Sequence, residues 1–245
     1  MKLQILIDCL NKWAPEEDAE GWDNVGLQLG DRHAHIKRVV LAMDVDRDLL
    51  LYLGDNPVDL VITHHPLLFS SVKSIDKSEP LGEAIYTFIN KKCGLYSMHT
   101  NLDKAENGVN DALIKQYGLD PKKGTWFDGG IGKWFDLKTH STGQTVSSFI
   151  KGNTGRVVGD KTDRTLNRVG FCGGSGKSLL SQIDDLSIDL FITGELGYHD
   201  EVALGLSGKS GFLMGHKESE FFGLYEIKEY INCNFSNIDV TVFGR

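Results

Sequence analysis

The stretch "VDLVITHHP", residues 58–66, joins a strand-like run to a pair of histidines. Its first part is a short, β-branched, apolar run of the kind that forms a strand buried on both faces of a parallel sheet. It closes on two adjacent imidazoles, His64 and His65, and then on Pro66. Neighbouring residues of a strand point to opposite faces, so the two histidines can share one site only where the strand has ended and the backbone turns. Pro66 favours that turn, because it donates no N–H and biases His65 away from helical backbone.

Runs of the same character recur on both sides of this one. They are "RVVLAMDV" (38–45), "GLYSMHT" (94–100), "NRVGFCGG" (167–174), "IDLFITGE" (188–195), "GFLMGH" (211–216) and "IDVTVF" (238–243). Helical patterns alternate with them over residues 81–92, 107–117 and 218–232. That alternation predicts an α/β chain with mixed, largely parallel sheets. The N-terminal "MKLQILIDCLNKWAP" spaces Leu3, Leu6, Ile7, Leu10 and Trp13 as one face of a folded helix, and Asp8 interrupts any leader-like apolar core.

The two halves of the chain match each other. "RVVLAMDVDRDLL" (38–50) aligns without gaps on "RVGFCGGSGKSLL" (168–180), and "VDLVITHH" on "IDLFITGE". The interval from Arg38 to Thr63 equals that from Arg168 to Thr193. Each half then carries a strand-like run ending in a histidine with a carboxylate four residues on: His99 with Asp103, and His216 with Glu220. Three matches in one order predict an internal pseudo-repeat of two related α/β halves facing a shared cleft. The boundaries expected are 1–120 for the first half, 121–165 for a Gly- and Lys-rich linker or insertion, and 166–245 for the second half.

In an open α/β sheet ligands gather at the carboxyl ends of strands. His64, His65, the His99–Asp103 segment, Glu195 and the His216–Glu220 segment all fall at such ends and are expected to converge. A histidine at the start of a helix and a carboxylate one turn later lie on the same face and can chelate one cation. Imidazoles and carboxylates without a thiolate suit Zn, Fe or Mn. Four or five such ligands suffice for two ions roughly 3.5–4 Å apart. Glu195 and His199, in "TGELGYHD", stand where the second half replaces the histidine pair, and are candidates for orienting a ligand or for acid–base work on water. His33, His35 and His140 sit in polar context and read as solvated. Asp23, Asn24 and Gln28 offer either polar contacts to a substrate or a plain turn.

Other signals exclude alternatives. "GGSGKS" (173–178) resembles a phosphate loop, but the pattern's first Gly would fall on Phe171, and Gly170 comes one residue early. A net charge of -8 argues against a general nucleic-acid binder. No run approaches the ~18 apolar residues a membrane span requires. Cys9, Cys93, Cys172 and Cys233 lie far apart with no CxxC, which suits free buried thiols, a reducing compartment and a cytoplasmic location.

"GWDNVGLQLG" (21–30), "ITHHPLLF" (62–69), "HTNLD" (99–103), "TGELGYHD" (193–200) and "GHKESE" (215–220) together resemble the Nif-three-like dinuclear-metal proteins, commonly labelled GTP cyclohydrolase 1 type 2 homologues. The resemblance runs from about residue 15 to the C-terminus. It implies His64, His65, Asp103, His216 and Glu220 as ligands of two divalent ions, and moves His99 behind them. It also implies two similar α/β halves in a compact form without the long inserted domain of some members, and a toroidal homohexamer with sites facing a central cavity. The cyclohydrolase label implies hydrolytic opening of the guanine imidazole ring with release of formate. A metal carrier or sensor, and a ring-forming interaction protein, are the competing implications.

Overall fold

The computed structural model describes residues 1–137 and 144–244. His140 lies outside the described residues. The strands are β1 (Gly26–Leu29), β2 (Arg38–Ala42), β3 (Leu60–Thr63), β4 (Gly94–Ser97), β5 (Thr125–Trp126), β6 (Lys133–Asp136), β7 (Arg156–Gly159), β8 (Arg168–Ser175), β9 (Leu190–Glu195), β10 (Ser210–Leu213) and β11 (Asp239–Val242). The helices are α1 (Leu3–Trp13), α2 (Arg47–Asp55), α3 (Pro80–Lys91), α4 (Thr100–Lys104), α5 (Val109–Lys115), α6 (Val146–Phe149), α7 (Leu180–Asp185), α8 (Tyr198–Leu206), α9 (His216–Glu220) and α10 (Gly223–Asn234).

The chain divides into two compact units: Met1–Glu106 with Leu224–Arg245, and Asn107–Gly223. The first holds a five-stranded sheet ordered β1-β4-β3-β2-β11, in which every pairing except β1 with β4 is parallel. Strands β3 and β4 are buried along their whole length, as a sheet covered on both faces requires. Val40, Val61 and Leu95 pack with Leu49 and Leu53 of α2 and Phe88 of α3. Helix α2 starts where Asp46 accepts the Leu49 N–H, satisfying one of the donors a helix start leaves open. Helix α1 buries Leu3, Leu6, Ile7 and Leu10 of the face its spacing predicts, while Trp13 is half-buried.

The second unit holds a six-stranded sheet ordered β5-β6-β8-β9-β10-β7, parallel in the centre and antiparallel at both edges. The described residues of the segment expected to be a linker or insertion, 121–165, contribute to this sheet. They supply β5, β6 and β7, and Lys133 on β6 forms a buried ion pair with Asp111 of α5 at 2.6 Å. The sequence also places the C-terminus in the second half, whereas β11 pairs with β2 in the first sheet. The helical pattern at 218–232 is split, with α9 ending at Glu220 and α10 starting at Gly223.

The central strand pairs share one register. Val39 faces Leu60 and Ala42 faces Thr63 in the first sheet; Val169 faces Leu190 and Cys172 faces Thr193 in the second. These are the residues that the gap-free alignment equates. A carboxylate recurs with them: Asp59 accepts the Lys37 and Arg38 N–H groups, and Asp189 accepts those of Asn167 and Arg168. All four cysteines are free, with Cys93 and Cys172 buried, but Cys9 is half-buried and Cys233 exposed, so burial holds for two of the four.

Candidate metal centre

In the first unit β3 delivers the histidine pair. After Thr63 the backbone stays hydrogen-bonded to the β2 side, with His64 N–H donating to Ala42 O and His65 N–H to Met43 O. His64 is buried, and its Nδ1 lies 2.8 Å from Met98 O. A carbonyl only accepts, so Nδ1 carries the proton and the lone pair of the neutral ring sits on Nε2. That Nε2 lies 3.8 Å from Asp103 Oδ1 on the buried helix α4. The His65 Nδ1 in turn donates to Asp44 Oδ1 at 2.8 Å, which fixes the same tautomer. His99 precedes α4, and its Nδ1 donates to Asp23 Oδ1 at 2.9 Å.

One ligand atom from each of His64, His65 and His99 lies within 4.8 Å of the others. The ring centroids stand 4.9 to 5.3 Å apart. Geometry thus brings His99 into the imidazole cluster, as the repeat suggests. Asp23 also accepts from the Thr100 N–H and hydroxyl. Burial opposes ionisation of its carboxyl, but the bonds from His99 and Thr100 outweigh that and hold it well below the usual carboxylate range.

Asn24 and Gln28 hold the loop after Pro66: Asn24 Nδ2 donates to Leu68 O, Gln28 Oε1 accepts from Leu68 N–H, and Gln28 Nε2 donates to Asn24 O. They brace the chain behind the histidine pair, the structural one of the two roles their sequence context allows. Sequence reasoning missed Asp44. Its only signal is an acid at the carboxyl end of the strand next to β3.

In the second unit β9 and α9 assemble the other donors. His216 opens α9, with Nε2 at 3.5 Å from Glu220 Oε2 one turn on and Nδ1 at 3.1 Å from Glu195 Oε1 at the end of β9. Glu220 is buried, while Glu195 is exposed. The Gly-rich stretch that fails as a phosphate loop makes room for this pair. A Cβ on Gly174, whose φ is +60°, would fall 2.2 Å from Glu220 Oε1 and 3.2 Å from His216 Nε2. The Gly174 N–H donates to Ser219 Oγ at 2.9 Å, which ties the loop to α9. His199 is not brought to this cluster; it is exposed on the first turn of α8, its ring edge-on to Tyr198. His33 and His35 are exposed, as their polar context predicts.

The candidate ligand groups among the described residues contain imidazoles and carboxylates and no thiolate, the donor set that suits Zn, Fe or Mn. The sequence profile of the DUF34/NIF3 family (NGG1p interacting factor 3) matches residues 1–244. The chain belongs to the DUF34/NIF3 family. Among DUF34/NIF3 relatives it is 32% identical to a GTP cyclohydrolase 1 type 2 homolog of Clostridium perfringens, over 94% of this chain and 91% of that one. It is 31% identical to the NIF3-like protein 1 of Drosophila melanogaster, over 92% and 80%. Reduced HcgD from Methanocaldococcus jannaschii shares the fold with a TM-score of 0.86 at 25% identity, covering 100% of this chain and 98% of that one.

No described helix is long and apolar enough to cross a membrane.

Proposed function

We propose that the chain is a metal-dependent hydrolase of a nucleotide or another small cyclic substrate, with His64, His65, Asp103, His216 and Glu220 as ligands of two divalent ions. The observation that carries this reading is the fixing of the imidazoles. His64 and His65 each spend the Nδ1 proton on an acceptor, Met98 O and Asp44, and so present Nε2 in the form a metal ligand needs. When bound, divalent ions supply Lewis acidity and activation of water. The chain's own residues do the rest. Asp44 and the Met98 carbonyl hold the two rings in place, and Glu195, exposed beside His216 Nδ1, accepts and returns a proton there. The names of relatives support the substrate class: a Helicobacter pylori protein 29% identical over 81% of this chain is called GTP cyclohydrolase 1 type 2. A homohexameric ring and a cytoplasmic location belong to the same proposal, supported by family resemblance and by the free thiols.

The test is incubation of protein loaded with Zn, Mn or Fe(II) with GTP and a panel of purine nucleotides, reading formate release. The expected result is turnover that chelation abolishes and that Glu220→Gln removes. The partial exposure of the side chains of His65, His216 and Glu195 favours a second reading, a metal carrier whose ions exchange. Bound, exchangeable metal with no turnover on any member of the panel selects it.

A further inference from the structure

Two large aromatic side chains stand in solvent beside the imidazole cluster of the first unit. Trp22 is 58% exposed and Phe69 52% exposed. They come from segments far apart in sequence, yet their ring centroids lie 5.8 Å apart at a tilt of 50°. The Trp22 ring also meets His99 edge-on at 6.0 Å, and His99 is one of the three clustered histidines. Leaving two such rings in water forfeits the burial that drives most aromatic placement.

Their positions are nevertheless held firmly from behind. Trp22 precedes Asp23, whose buried side chain is bonded to His99 and Thr100. Phe69 follows Leu68, whose N–H and carbonyl are both taken by Gln28 and Asn24. These bonds fix the backbone of both segments without covering either ring. The rings touch, so nothing lies between them; the open face of Trp22 with Phe69 as its side wall makes a corner. A polar group borders that corner: the His99 ring, edge-on to Trp22.

A flexible apolar chain or lipid tail needs a continuous greasy groove, which this island is not. A flat ligand with π faces and polar edges fits both the rings and their frame. We propose that Trp22 and Phe69 form the stacking platform for a heteroaromatic base, the part of the substrate nearest the histidine cluster. The inference rests on the hydrolase reading and names which part of the substrate the first unit recognises.

The experiment is isothermal titration calorimetry with guanosine monophosphate and, separately, ribose 5-phosphate, on the full chain with its metal content measured in every sample. Wild type binds the nucleotide more tightly than the sugar phosphate. Trp22→Ala and Phe69→Ala each weaken nucleotide binding on the order of tenfold, Trp22→Phe restores most of it, and sugar phosphate binding and metal content stay unchanged. Both rings are exposed, so these variants leave the core intact, which the melting temperature checks. Unchanged nucleotide affinity in the Trp22→Ala, Phe69→Ala double variant overturns the proposal. A fall in molar mass by light scattering at unchanged affinity does so too, assigning the pair to contact between copies of the chain. Metal-dependent turnover of a non-planar substrate with no nucleotide binding sinks the platform and leaves the hydrolase; nucleotide binding without metal or turnover does the reverse.

Discussion

His65 gives its Nδ1 proton to Asp44 at 2.8 Å, so an acid outside every recognised motif sets the tautomer of a candidate ligand. Replacing it, as in Asp44→Ala, removes the acceptor that holds the proton on Nδ1. Metal affinity is expected to fall roughly 10–100-fold, read by competition with a chromophoric chelator, with little change in melting temperature. Unchanged affinity would show that Asp44 plays no part in presenting the ring.

Gly174 is required twice over, by its backbone and by its neighbours. Its φ is +60°, and a Cβ there would overlap Glu220. Gly208 has a similar φ of +67° but nothing within 4 Å of such a Cβ. Gly208→Ala therefore costs only the backbone strain, about 1 kcal/mol. Gly174→Ala is expected to cost more, by about 1–3 kcal/mol, and to lower metal occupancy as well. Chemical denaturation and elemental analysis of both variants separate the two effects.

Acid should weaken the first sheet through Asp59. Burial raises its pKa, but the N–H groups of Arg38 and Lys37 and the Arg38 guanidinium prevail, holding it below the ordinary carboxylate value of 3.8. A carboxyl lowered in the folded state stabilises the fold above its unfolded pKa, and that contribution is lost as pH falls through the folded one. Asp59→Ala should cost about 1 kcal/mol at neutral pH, since solvent screens this partly exposed carboxylate. The gap from wild type should hold down to pH ~4 and close below it, as urea denaturation at several pH values will show.

Thiol reactivity should follow burial. Cys93 is buried, and that burial pushes its thiol up to about 12, so almost no thiolate exists at pH ~8. Cys233 is exposed. Alkylation with iodoacetamide followed by mass spectrometry should label Cys233 within minutes, and Cys93 and Cys172 only after unfolding. Early labelling of Cys93 would contradict the packing of β4.

Much of this was legible in the chain itself. The strands around "VDLVITHHP" announce themselves because burial on both faces demands unbroken apolar runs, and β3 and β4 are buried throughout. Strands β1, β5 and β7 are short and partly exposed, so they carry no unbroken apolar run to mark them as strands. The pairing of β11 with β2 was hidden for a different reason: a run such as "IDVTVF" declares a strand but not which sheet it joins. The histidines and carboxylates were visible as donors at strand ends. Asp44 and Gly174 were not, since nothing in residue spacing marks a side chain that orients another or a position that must stay empty.

The histidines and carboxylates of both units should hold metal in the protein as isolated. Protein purified gently without chelator or added metal should carry roughly two divalent ions per chain, and His64→Ala and Glu220→Gln, one change in each compact unit, should each lose bound metal while remaining folded. Metal-free wild-type protein, or full occupancy in both variants, would show that these residues are not its ligands.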